Sequence, residues 1–302
     1  MSHPTTRRTI LAATAALTLG GIVASAATAQ DATPGATPDG TPAGTPAGDQ
    51  VATNRLLVAE ATDTFFNQHD VAAVDRDVSP NYTQHSTLVG DGRDAFRELV
   101  SGLSEGVSHE TVRLIGDGDL VAVHGIYTGF GEVPLVAFDI FRVADGQLAE
   151  HWDGLASQTP ANPSGHTQTD GPTDITDTEQ TEANRTLVEG FVDSILIGGD
   201  VDRITEFVSA ETYIQHNSQI ADGLDGLSTA LAALAEQGLS LVYNARHRTV
   251  AEHDFVLIQS DGDFGGPVVY YDLFRIEEGL IVEHWDVIQP IPAEIPHDNG
   301  LF

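Results

Sequence analysis

The chain of 302 residues contains no cysteine and no lysine. Without cysteine there is no disulfide framework, thiolate metal site, cysteine nucleophile or lipid-anchored N-terminal cysteine. Positive charge is scarce. The 13 basic residues are all arginine and face 45 Asp and Glu, a formal charge of −32. That charge repels a nucleic-acid backbone and an anionic membrane surface, so neither is expected as a partner. Acidity without lysine suits a high-salt setting, where carboxylates hold a hydrated surface and salt screens their repulsion. A Gly-rich phosphate loop is also missing: Gly20-Gly21 falls in the N-terminal leader and Gly265-Gly266 in a hairpin. No cofactor is expected.

Residues 1–29 have the order of an export signal: Arg7-Arg8, a mostly apolar run from Ile10 to Ala24, then Ala27-Thr28-Ala29. Thr6-Arg7-Arg8-Thr9-Ile10-Leu11 resembles a twin-arginine signal, which implies secretion of an already folded protein. The apolar run is short for a membrane span. Residues 30–50 repeat Thr-Pro and Gly, a composition that buries no core and reads as a disordered tether.

The rest is two copies of one unit. Asn54-Arg55 recurs as Asn184-Arg185, and Tyr82-Thr83-Gln84-His85 as Tyr213-Ile214-Gln215-His216. Phe141-Arg142 recurs as Phe274-Arg275, and Glu150-His151-Trp152-Asp153 as Glu283-His284-Trp285-Asp286. The offset drifts only from 130 to 133 residues, so the copies are collinear. Two domains are expected, over 51–158 and 179–292, joined by a linker at 159–178 and followed by a tail at 293–302. Each begins with helical spacing (Leu56, Leu57, Ala61, Phe65; Leu187, Phe191, Ile195) and then alternates as strands separated by Asp-Gly turns. Helices first and antiparallel strands after imply an α+β unit.

Tyr-x-Gln-His, the Asp-x-Phe-Arg strand (Asp139–Arg142, Asp272–Arg275) and Glu-His-Trp-Asp resemble the SnoaL-like polyketide cyclase family of the nuclear transport factor 2-like superfamily. The ending Glu283-His284-Trp285-Asp286-Val287-Ile288-Gln289-Pro290 is closest to its branch of predicted aldol-condensation enzymes. The resemblance implies two tandem cone-shaped domains, each with N-terminal helices on a curved antiparallel sheet and an apolar pocket between them. Related single-domain proteins commonly dimerise, so a purely structural reading is also open, in which the tandem copies simply reproduce that dimer within one chain.

On the strand from Leu135 to Val143, alternation leaves Asp139 as the one ionisable group on an apolar stripe, where desolvation favours an acid or base working near neutrality. His124 sits similarly among Ala122 and Ile126. The resemblance gives the same pair as acid/base Asp and assisting His. In repeat two Asp272 keeps the carboxylate, but Gln259 aligns with His124, so repeat two either uses His216 instead or is a degenerate, structural copy. His85 and His216 are candidates for polarising a carbonyl, which makes His216 the imidazole available to Asp272. Tyr82, Trp152, Tyr213, Gln259 and Trp285 are candidates for the pocket wall, with packing the other role open to both tryptophans. No closed zinc pattern appears, and no metal is expected. The expected activity is cofactor-independent acid–base chemistry on a small apolar or carbonyl compound, of the aldol-condensation or cyclase type. A binding protein with duplicated apolar pockets is the alternative.

Overall fold

The computed structural model describes residues 47–176 and 179–302. The expected export signal and nearly all of the tether lie outside them. Repeat one runs α1 (Ala47–Phe66), α2 (Ala73–Asp77), β1 (Val78–Gln84), α3 (Gly92–Gly102), β2 (Ser108–Asp117), β3 (Leu120–Thr128), β4 (Leu135–Ala144) and β5 (Gln147–Ser157). Repeat two runs α4 (Thr181–Phe191), a π-helical turn (Val192–Ile197), a 3-10 turn (Val201–Glu206), β6 (Ile214–Gln215), α5 (Gly223–Glu236), β7 (Val242–Glu252), β8 (Phe255–Asp263), β9 (Pro267–Glu277) and β10 (Leu280–Pro290). Among the described residues no helix is long and apolar enough to cross a membrane.

The sheets have matching orders, β1-β5-β4-β3-β2 and β6-β10-β9-β8-β7. Four strands of each are antiparallel, as expected; the short first strand joins the edge in parallel, with Gln84 beside His151 and Gln215 beside His284. Tight turns set the hairpin registers. Asp145-Gly146 and Glu278-Gly279 each have two residues at positive φ, the conformation whose twist suits adjoining strands.

Each sheet buries both faces. Odd-numbered residues of β3 and β4, such as Val123, Ala137 and Phe141, pack under Val58, Phe65 and Phe96 of the helices. Even-numbered ones, such as Ala122, Phe138 and Ile140, pack with Trp152 against Leu257, Tyr271, Leu273 and Trp285 of the other repeat. The chain is therefore layered helix, sheet, sheet, helix. Contact between the sheets is close: a Cβ added at Gly154 would collide with the Tyr271 ring.

The linker and tail do more than connect. After repeat one, Asn162 donates to the Gln215 and Ile220 carbonyls, and Asp170 O accepts from Trp285 Nε1 at 3.0 Å. After repeat two, Asn299 donates to Gln84 O at 3.0 Å and His297 bonds Ser86 O at 2.8 Å. Each repeat thus ends in a strap lying across the other's Tyr-x-Gln-His strand.

Candidate functional site

The polar groups inside each helix-covered face form a short relay. Asp139 on β4 lies directly opposite Asp153 on β5, and His151 is two residues before Asp153 on the same face. His151 Nε2 meets Asp139 Oδ1 at 3.0 Å and its Nδ1 meets Gln84 Oε1 at 2.9 Å. The backbone N–H groups of His85 and Ser86 also donate to Gln84 Oε1, at 3.0 and 3.1 Å. They can donate only to oxygen, which fixes the amide's orientation, so His151 Nδ1 must donate too. What remains between Nε2 and Oδ1 is a site for one proton.

Repeat two reproduces this. His284 Nδ1 meets Gln215 Oε1 and its Nε2 meets Asp272 Oδ1, both at 3.0 Å. His216 N and Asn217 N donate to the same Gln215 oxygen. Burial opposes a charge on His284, but the hydrogen bond and negative charge of Asp272 outweigh it and hold the imidazole above its ordinary range. A tyrosine hydroxyl completes each relay, from different strands. Tyr127 on β3 donates to Asp139 Oδ2 and Tyr243 on β7 to Asp272 Oδ1, each at 3.2 Å. Burial and the nearby carboxylates push both phenols well up, so they remain neutral donors.

Asp139 and Asp272 are 2% and 1% exposed, whereas Asp153 and Asp286 are half-buried. In repeat two Asp286 lines a cavity of about 590 Å³ together with Asn217, Ile220, Ala230, Leu234 and Val268. Asn217 Nδ2 donates to Asp286 Oδ2 at 2.7 Å. Burial, with the charge of Asp272 adding to it, raises the Asp286 carboxyl. Burial and then Asp139 push Asp153 up to about 6, against the favourable charge of His151. Each set of Asp, His and Asp also keeps three donor atoms within 4.8 Å, so a divalent cation is a second occupant its chemistry admits.

The Asp153 value sets a stability test. A folded pKa of about 6 against an ordinary 3.8 means the folded state favours the protonated acid. The associated stability is full below 3.8, falls as pH rises to about 6 and is absent above. Asp153→Asn removes that loss, so relative to the parent the variant should gain about 1 kcal/mol between pH 5 and pH 8 in urea denaturation. An unchanged difference at the two pH values would contradict the raised carboxyl.

Several expected site residues lie elsewhere. His124 and Asp139 do not meet. Asp139 pairs with Val123 across the strands and His124 with Phe138, so their side chains leave opposite faces of the sheet. His124 stacks on Phe138 between the repeats, with Arg113 Nη1 3.0 Å from its Nδ1. Burial and the Arg113 charge hold it well below the usual histidine range, as a neutral ring. Gln259 also faces the interface, donating to Tyr271 Oη at 2.8 Å. His85 stacks on Trp152 and His216 on Trp285, at centroid distances of 4.9 and 4.5 Å. Their Nε2 atoms bond Glu150 and Glu283, so neither reaches the relay. Trp152 and Trp285 pack between the sheets, each with an arginine of the other repeat over its ring: Arg248 at 3.6 Å and Arg113 at 4.2 Å. Tyr82 and Tyr213 do stand beside their relays, 3.4 Å from Gln84 and Gln215.

His151, Asp153, His284 and Asp286 were missed although the tetrads contain them, and strand alternation alone puts each pair on one face. Gly102-Leu103-Ser104-Glu105-Gly106 also has the spacing of a nucleophile elbow. It leaves a helix and Ser104 is exposed, which does not fit a strained strand-to-helix turn.

Residues 58–151 match the family described as the SnoaL-like domain. The match covers most of the first repeat, and the second repeat has the same sheet order. No curated protein matches the chain. Similar solved structures include TsrD from Streptomyces laurentii, with 20% identity over 34% of this chain and 88% of that one and a TM-score of 0.30. An NTF2-like protein of unknown function from Mesorhizobium loti has 19% identity, 36% and 95% coverage and a TM-score of 0.33. A candidate ketosteroid isomerase from Kribbella flavida has 17% identity, 38% and 85% coverage and a TM-score of 0.34.

Proposed function

We propose that the chain is an acid–base enzyme acting on a small carbonyl compound, with its working site in repeat two. The observation that carries this reading is Asp286, a carboxylate of raised pKa on the wall of a cavity of about 590 Å³, backed by His284 and Asp272. This reading does not use the partnership between His124 and Asp139 expected from the sequence, because the two side chains leave opposite faces of the sheet.

In the mechanism, Asp286 takes a proton from the carbon next to the carbonyl, and the C–H electron pair passes into an enolate. Asn217, Ser218 and Gln219 line the same cavity and offer donors to the enolate oxygen. His284, whose charged form the hydrogen bond and charge of Asp272 favour against burial, stabilises the developing negative charge. The enolate then attacks a second carbonyl, and Asp286 returns its proton to the new alkoxide. Atoms and charge balance with no cofactor.

The test is solvent-deuterium exchange followed by NMR, with the full chain and a panel of small ketones and β-dicarbonyl compounds. Exchange above the buffer rate that survives chelation is the expected result. Binding shifts without exchange would make the chain a binding protein. Exchange lost on chelation and restored by a divalent ion would replace this mechanism with a metal-assisted one.

Export completes the proposal and rests on Arg7-Arg8, the apolar run and Ala27-Thr28-Ala29. Protein recovered outside the cytoplasm should begin near residue 30, by N-terminal sequencing. An intact Met1 or Ser2 there would overturn cleavage.

A further inference from the structure

A second polar cluster lies outside the relay, where the strap after repeat one crosses repeat two. His216 is buried and its ring presents Nδ1 to two oxygens at once, Thr167 O and Asp170 Oδ1, both 2.8 Å away. Asp170 Oδ1 also accepts from the Thr167 backbone N–H at 3.1 Å, but a neutral ring that gives its proton to Glu283 through Nε2 has none left for either oxygen at Nδ1. A cation satisfies the nitrogen and both oxygens together. His166 stands on the same side, its Nδ1 3.8 Å from Asp170 Oδ2. His166, Asp170 and His216 each offer a donor atom within 4.8 Å of the others.

The surroundings are those of a metal site. His216 Nε2 bonds Glu283 at 2.9 Å and His166 Nε2 bonds Asp222 at 3.2 Å. Each imidazole can therefore give its Nε2 proton to a carboxylate and keep the Nδ1 lone pair for a metal, the arrangement that fixes the tautomer of ligating histidines. Glu283 is itself anchored by Arg275 Nε at 2.7 Å. We infer that His166, Asp170 and His216, with the Thr167 carbonyl, form a binding site for one divalent transition ion such as zinc. Two imidazoles with two oxygens suit that class better than calcium or magnesium, which favour all-oxygen sets. Bringing the donors to bonding distance needs a movement on the order of 1 Å in the strap.

The metal is a clamp. Its ligands bracket Gln168, which lines the cavity that holds Asp286, and Asp170 O accepts from both Trp285 Nε1 and Arg113 Nη2. Binding would pin the strap over repeat two. Among the described residues the strap on repeat one has no such cluster: His85 Nδ1 meets Gly300 O at 2.9 Å, and the neighbouring His297 bonds Ser86 O.

The test is calorimetric titration of the chelator-stripped full chain with zinc chloride alone. One equivalent should bind and raise Tm. His166→Ala and Asp170→Asn should each weaken that binding at least tenfold. Both residues sit in a surface strap, and the zinc-free Tm checks folding. Asp286→Asn should leave zinc binding unchanged. No zinc binding, or binding that survives both strap substitutions, would overturn the site. Binding lost in Asp286→Asn but kept in His166→Ala would place the ion at the relay and overturn it equally.

Discussion

Trp285→Ala should lower stability by about 3–5 kcal/mol, the usual cost of removing a fully buried tryptophan. The indole is 0% exposed between the two sheets, stacks on His216 and lies under Arg113. Its removal opens a cavity in the shared core and strips the cation–π partner from a buried arginine, whose pKa burial has already lowered to about 10. Asp170 O also loses its indole donor. For a chain of this size the Tm should fall by roughly 10 °C. A finer comparison separates the tryptophans. Trp285 Nε1 bonds the strap, whereas Trp152 Nε1 is buried with no hydrogen-bond partner among the described residues. Trp285→Phe should therefore cost about 1 kcal/mol more than Trp152→Phe. Urea denaturation measures both, and a loss under about 1 kcal/mol for Trp285→Ala would show that the sheet interface contributes little to stability.

Asp286→Asn should reduce deuterium exchange by about a hundredfold or more, the scale expected for losing a general base. The amide is nearly isosteric and its cavity is partly open, so Tm should stay near the parent's. Asp272→Asn should also slow exchange, by a different route. It removes the charge that favours a protonated His284 and leaves Asp286 in place, so the pH profile should shift as well as the rate. His124→Gln tests the partnership expected from sequence. The ring faces the sheet interface, and repeat two already holds glutamine at the matching position, so exchange should be unchanged. An equal loss from His124→Gln and Asp286→Asn would defeat the repeat-two mechanism.

Most of the architecture was legible because its signals are local. Two collinear copies, helical spacing in 56–66 and turn residues such as Asp145-Gly146 each depend on neighbours within a few positions. Alternation also ranks faces within one strand, so Asp139 could be set on an apolar stripe and His151 with Asp153 on one side of β5. It does not relate one strand's faces to the next. That needs the cross-strand register, and a shift of one residue turns His124 from beside Asp139 to beside Phe138. The same limit hid β1's parallel pairing, which brings Gln84 to His151 and orients the imidazole. It also hid the Tyr127 and Tyr243 exchange, where equivalent hydroxyls come from different strands.

By itself the sequence determined the duplication, the α+β class, the strand order of events along the chain and the acids that populate each repeat. Only the tertiary structure decided which of those acids share a face, which histidine serves them, and that two apparently featureless connecting segments are straps across the opposite repeat. The reason is physical. Periodicity and turn chemistry act over a few residues, whereas register, sheet-on-sheet packing and strap docking minimise exposed surface and unpaired polar groups over the whole chain.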